Sequence, residues 1–346
     1  MKTLIRYLSA LLLASTASTA FALTPHDAHM LEQAAELGHQ KAQDALKVAA
    51  QQGDPEGQLA LGIFLITRHD YPQAARWVRK SAEQGLPLAQ EMLGVMYHVG
   101  AGVPKDLTLA TDWFEKSAAQ GNANAQFNLV LFYAEGAGIP QDYAKAAAWC
   151  RRAAEEGDAT AQFYLGMLYS DGSGVPQDYA AAASWFGKSA AQGNAQAQYN
   201  LGQLYEHGQG VPRDYAQAAA WYRRAAEQGI GDAQSRLALL YAAGKGVTQD
   251  YGQAARWYRA AAEQGVVAAQ VSLGVFYTYG LGMAQDNIQA YKWLALGKAA
   301  ALPASDMRRL AAGTMNQVAT SMTEAQIATA QREVSAWLAA HRKDSR

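Results

Sequence analysis

The sequence predicts an all-α solenoid of helix–turn–helix repeats, and three observations lead there. Tryptophan stands at 77, 113, 149, 185, 221, 257 and 293, a step of 36 without a slip. Ala-Gln pairs keep the same step at Ala89-Gln90, Ala125-Gln126, Ala161-Gln162, Ala197-Gln198, Ala233-Gln234 and Ala269-Gln270. Glycine keeps it at 85, 121, 157, 193, 229 and 265. A fixed period of this size, in a chain rich in alanine and poor in proline, marks small helical units that bury their faces by stacking.

The first 22 residues read as a targeting segment. Lys2 and Arg6 precede the short apolar run "YLSALLLAST", and Ala20–Ala22 supply an A-x-A cleavage signal. The expected mature chain starts near Leu23, without a membrane span, in the periplasm or outside the cell. No cysteine sits at the cleavage site to take a lipid. The chain's net charge is −1, and loss of the two basic residues takes it to −3, which gives no global reason to expect nucleic acid. The single cysteine, Cys150, rules out an internal disulfide and reads as a small buried residue on a helix face.

Residues 23–52 are expected to cap the array, with His26–Gln52 forming one helical hairpin. The repeats then run over 53–300. In Gly121–Gly157, Gln126, Leu129, Val130 and Tyr133 fall on one face of a first helix. Gly136 supplies a left-handed C-cap and Pro140 prevents continuation. Asp142 is placed to cap a second helix carrying Tyr143, Ala146, Ala147, Trp149, Ala153 and Ala154. Its small residues allow close helix approach, and the tryptophan is expected to fill the remaining gap. Val130 and Ala238 stand where other copies have glycine, so slightly wider helix spacing is expected there.

The copy at Ala195–Gly229 follows A-x-A-Q-x-x-L-G-x-x-Y-x-x-G-x-G-V-P-x-D-Y-x-x-A-x-x-W-x-x-x-A-A-E-Q-G at nearly every position. This pattern resembles the Sel1-like repeat family, relatives of the tetratricopeptide solenoids. The resemblance implies a right-handed α-solenoid of about seven repeats, six full copies following a shorter one at Gly53–Gly85. It also implies a scaffold that binds a protein or peptide, in roles such as periplasmic regulation, envelope assembly or host interaction. Residues 301–346 look like the C-terminal cap of exported members, with Thr323 and Gln326 arranged as a capping box.

No catalytic constellation stands out, and no cofactor is expected. The Gly-x-Gly pairs follow helices and recur in six copies, so they read as turns rather than phosphate loops. Arg151-Arg152 and Arg223-Arg224 lie one turn from Glu155-Glu156 and Glu227, which reads as a solvated, neutralised face. His26 and His29 lack a third metal ligand. Cysteine-rich members of the family have been linked to β-lactam binding or hydrolysis, but they carry paired cysteines in each repeat, which this chain lacks.

What remains is a strip on the first helices, opposite their core face: Phe127 and Leu131, then Phe163 and Met167, then Tyr199 and Gln203. In related solenoids this face is concave, and repeats are not expected to need it for stacking. It is the candidate partner groove, with the alternative that these side chains only fill a tightly curved inner surface. Two other readings remain: glycan stacking on Phe163, Tyr164 and Tyr199, and a hydrolase acting on cell-wall material or β-lactams.

Overall fold

The computed structural model describes residues 40–136 and 139–341. Among them are 17 helices and no strand. They divide into two compact units, one within residues 40–161 with 173–176 and the other within residues 162–172 with 177–341. Unit 1 holds α1 (Gln40–Gln51), α2 (Pro55–Thr67), α3 (Tyr71–Glu83), α4 (Pro87–Val99), α5 (Leu107–Ala119), α6 (Ala123–Glu135) and α7 (Tyr143–Glu155). Unit 2 takes most of α8 (Ala159–Asp171), then α9 (Tyr179–Ala191), α10 (Ala195–His207), α11 (Tyr215–Glu227), α12 (Gly231–Ala243) and α13 (Tyr251–Glu263). It continues with α14 (Val267–Tyr279), α15 (Asn287–Ala300), α16 (Asp306–Thr320) and α17 (Glu324–His341). Consecutive helices pack in pairs as a repeat solenoid.

Each pair is bounded by the residues that the repeat pattern carries. Asp70, Asp106, Asp142, Asp178, Asp214, Asp250 and Asp286 accept hydrogen bonds from backbone N–H groups in the first turn of the second helix. Each such cap is worth about 1 kcal/mol. Gly100, Gly136, Gly208, Gly244 and Gly280 end first helices in the left-handed region. The second glycine of the pair has a different duty. A Cβ on Gly102 would collide with the carbonyl of Tyr71, and one on Gly210 with the backbone of Tyr179. The loop therefore lies directly on the start of the preceding repeat's second helix. The shorter first copy closes its connection through His69, at φ 64°.

The core departs from the sequence expectation. The tryptophans at 77, 113, 149, 185, 221 and 257 are only half-buried. The fully enclosed position is the next one: Phe114, Cys150, Phe186, Tyr222 and Tyr258. It receives the glycine of the first helix. A Cβ on Gly94 would lie 2.7 Å from the Phe114 ring, and one on Gly202 2.7 Å from that of Tyr222. All of these tryptophans but Trp257 instead lie under cations three residues on. Lys80 is 4.3 Å from the Trp77 ring centre, Lys116 4.0 Å from Trp113, Lys188 3.6 Å from Trp185 and Arg224 4.5 Å from Trp221. The indole is a cation platform rather than a core plug, because the neighbouring ring already fills the core.

That fit also explains Val130. Where the first helix gains bulk with valine, the second helix gives up its ring for Cys150, and both residues are buried. Complementary volumes accommodate the substitution. The arginine pairs are neutralised as expected only in part. Arg152 does bridge to Glu156 at 3.5 Å. Arg223, however, donates to the Tyr241 hydroxyl at 2.6 Å, and Arg224 covers Trp221.

A buried glutamine runs through the repeats of each unit. Gln90 Nε2 donates to Ala82 O at 3.2 Å, while its Oε1 accepts from Gln120 at 2.8 Å. Gln198 and Gln234 repeat both bonds in unit 2. Two glutamines break the pattern. Glu156 replaces the donor beyond Gln126, and the Gln126 amide instead donates to that carboxylate at 3.2 Å. Beyond Gln270 the donor's place holds Ala300, and the Gln270 Oε1 has no partner.

The ends are covered by helices. Leu46 and Ala50 of α1 pack on Ala60, Leu61 and Phe64 of α2. The rest of the expected N-terminal hairpin, like the targeting segment, lies outside the described residues. At the other end, Ala311 and Val318 of α16 close over Val271 and Leu294. Thr323 and Gln326 form the expected capping box, Thr323 N donating to Gln326 Oε1 at 2.8 Å and Gln326 N to Thr323 Oγ1 at 3.3 Å.

Cys150→Phe puts a ring against Val130 and is expected to lower stability by about 1–3 kcal/mol. Adding Val130→Gly restores the arrangement of the other repeats and recovers part of that loss. Urea denaturation of both variants measures it, and purely additive effects would contradict the volume pairing.

Candidate interaction surface

The first helices of each unit carry the candidate strip, and the structure places its residues at the boundary between core and surface. In unit 1, Phe127 and Leu131 of α6 are half-buried. In unit 2, Phe163 stands 6.0 Å from the Phe186 ring, and Tyr199 stands 5.8 Å from that of Tyr222. In unit 2 the strip therefore helps to pack the repeats: Phe163 and Tyr199 rest on the aromatic side chain that fills each pair. Met167 and Gln203 come together, since both line a cavity of about 260 Å³ in unit 2. Phe186 and Leu204 give this cavity apolar lining, and Ser170, Asn200 and His207 give it hydrogen-bonding groups. Phe163 and Tyr199 are not among its lining residues.

Beside the cavity runs a polar network. Gln203 Nε2 donates to the Tyr199 hydroxyl at 3.0 Å. The Tyr222 hydroxyl donates to Glu206 at 2.5 Å, and Arg236 lies 3.8 Å from the same carboxylate. Burial raises the pKa of both phenols, and for Tyr222 the bond to Glu206 raises it further. Both hydroxyls therefore stay protonated at neutral pH; that of Tyr222 donates to Glu206 and that of Tyr199 accepts from Gln203. Glu206 follows Gln203 on the same face of α10, and sequence reasoning did not find its role. The signal was an acid in α10 facing a base in α12 at positions where other copies carry no charge pair, such as Ser170 with Asn200.

In unit 1 the position equivalent to Phe127 is Glu91 on α4, and it is fully buried. Its Oε2 accepts from Asn122 Nδ2 at 3.3 Å, and its Oε1 has no partner. Burial pushes its pKa up to about 7, against the pull of hydrogen bonds from Asn122 and Asn124.

Other candidate chemistry does not converge. Cys150 is enclosed, its Sγ donates to Ala161 O at 3.2 Å, and burial pushes its pKa up to about 12, so it stays a thiol. Among the described residues no group of three His, Cys, Asp or Glu side chains could hold a metal ion. His26 and His29 lie outside the described residues. No described helix is long and apolar enough to cross a membrane.

Because the native state holds a proton on Glu91 that the unfolded chain releases near pH 4.5, stability falls as pH rises from about 4.5 through about 7. The loss is on the order of 3 kcal/mol once complete. Glu91→Gln keeps the shape without the charge and is expected to flatten this pH dependence. Thermal melts of both proteins at pH 5 and pH 8 check it; equal pH slopes would contradict the assignment.

Comparison with known proteins agrees with this architecture. The Sel1 repeat profile matches residues 28–39, 56–86, 87–122, 123–158, 159–194, 195–230, 231–266 and 267–301. A Sel1 repeat protein from Oxalobacter formigenes is similar in structure, with a TM-score of 0.66 and 30% identity over 91% of this chain and 92% of its own. A protective antigen present in uropathogenic Escherichia coli strains, with an SLR fold, has a TM-score of 0.57 and 29% identity. That match covers 91% of this chain and 84% of the antigen. No curated protein matches the sequence. With the repeat profile covering most of its length and its helix pairs packed as described, the chain belongs to the Sel1 repeat family.

Proposed function

We propose that this protein is an exported scaffold that holds a protein or peptide partner on the first-helix side of unit 2, without a chemical step. Sel1 repeat proteins typically mediate protein–protein interaction. The observation that carries the reading is the cavity lined by Met167, Phe186, Gln203 and Leu204. At about 260 Å³ it has room for one large apolar side chain, and its lining hydrogen-bonding groups suit the amides around such an anchor. Export rests on the basic, apolar and A-x-A segments of the first 22 residues. Phe127 and Leu131 form a separate half-buried patch in unit 1 that could extend the contact.

Alanine at Phe163 or Tyr199 would disturb the core, so the test uses the cavity itself. A photo-reactive residue at position 167 is expected to capture a discrete partner in the exporting cell. Met167→Lys and Gln203→Lys are each expected to reduce recovery of that partner at least about tenfold, with the helical circular dichroism spectrum kept. Undiminished recovery by both lysine variants would overturn the reading.

A further inference from the structure

Arg223 and Glu227 of α11, Tyr241 of α12, and Gln253, Arg256 and Trp257 of α13 line an open trough of about 700 Å³ in unit 2. It lies between two second helices and the loop that joins α12 to α13, and shares no lining residue with the cavity at Met167 and Gln203. Thirty-six residues on, the equivalent positions are Arg259, Glu263, Tyr277, Gln289, Lys292 and Trp293. There the chain's own α17 is seated. Glu333 accepts from Gln289 Nε2 at 2.9 Å and pairs with Lys292 at 3.4 Å. Trp337, one turn further along α17, meets Trp293 edge to face with ring centres 6.4 Å apart. Val334 and Trp337 join the apolar cluster that contains Trp293, and His341 Nε2 lies 3.1 Å from Glu263 O.

Arg76 of the shorter first copy aside, the two troughs share departures from the other repeats. The position of Arg256 and Lys292 is Asp112, Ala148, Ser184 and Ala220 in the four preceding copies. The cation that covers each earlier tryptophan from three residues on is replaced by Ala260 after Trp257 and by Leu296 after Trp293. At Trp293 the indole of Trp337 provides cover, and Trp293 is the buried member of the tryptophan series. Trp257 stays half-buried at the trough. Among the described residues neither Arg223 nor Arg256 enters an ion pair. Arg223 reaches the neutral Tyr241 hydroxyl, and Arg256 lies 5.5 Å from the Trp257 ring centre.

We propose that the trough between α11 and α13 is a docking site for an amphipathic helix of a partner protein, one carrying a carboxylate and, four residues on, a large apolar side chain. The carboxylate takes Arg256 and Gln253 as Glu333 takes Lys292 and Gln289. The apolar side chain covers Trp257 as Trp337 covers Trp293. Glu227 does not oppose this, because its counterpart Glu263 borders the occupied trough. The spacing is one helical turn, so a single face presents both groups.

The probe is a fluorescent synthetic peptide of residues 324–341, titrated into the full-length chain with α17 in place. Saturable binding is expected, weakened about tenfold or more by Arg256→Glu and by Trp257→Ala. A peptide carrying Glu333→Lys is expected to lose binding to the native chain and regain it with Arg256→Glu. Lys292→Glu in the protein is expected to leave peptide binding unchanged. No binding, or binding indifferent to Arg256→Glu, overturns the proposal. Loss with Lys292→Glu alone overturns it too, since the peptide would then be taking the place of α17. Self-association of the native chain that Arg256→Glu abolishes would assign the trough to a second copy's α17 and overturn the partner-helix reading.

Discussion

The buried glutamine of the Ala-Gln pair is the interaction on which the repeat geometry depends. Its amide is removed from water, so both ends must be satisfied or each costs about 1–3 kcal/mol. In Gln90, Gln198 and Gln234 one end is held by the carbonyl of the preceding second helix and the other by the glutamine that ends the next one. One side chain thus ties together three helices and fixes their register. A hydrophobic contact in its place would tolerate sliding; a hydrogen bond with two fixed ends does not. The Ala-Gln signature and the Gln-Gly ending recur together because they are two halves of one bond.

Around that frame, some changes in the repeat are answered by a second residue and others are not. Val130 is matched by Cys150, where Gly94 and Gly202 meet a ring. Glu156 is met by a reversed amide on Gln126, whose Oε1, like that of Gln270 at the array's end, is left without a partner. Such pairs are local because each core is built from two adjacent helices, and a repeat fold transmits little beyond its neighbours. Variation not answered in this way concentrates on the first-helix strip and in the second-helix trough. Those are the two surfaces assigned to partners above.

The candidate site was legible only in part. The strip could be found by counting 100° per residue, and Met167 and Gln203 do share a cavity. That Phe163 and Tyr199 lean on Phe186 and Tyr222 could not be read, because it depends on the depth of the groove between helices. The pairing of Glu206 with Arg236, thirty positions apart, and the burial of Glu91 beside two asparagines also required the neighbouring repeat in place. The tryptophan was misassigned for the same reason. Its spacing is perfect, but spacing does not tell a plug from a platform, and only the enclosed ring beside it shows which position the core takes.

The sequence by itself determined the helix pairs, their boundaries, their caps and their family, since Asp and Gly caps act within a turn of where they stand and the Ala-Gln step recurs at the period of the fold. Tertiary structure decided which side of each repeat is spent on packing and which is left for something else. It seated α17 on α15 through Glu333 and Trp337 and on α13 through His341, and it left the preceding trough open. A tail helix's docking place depends on complementary surfaces brought together across dozens of residues, and no local period in the sequence records that.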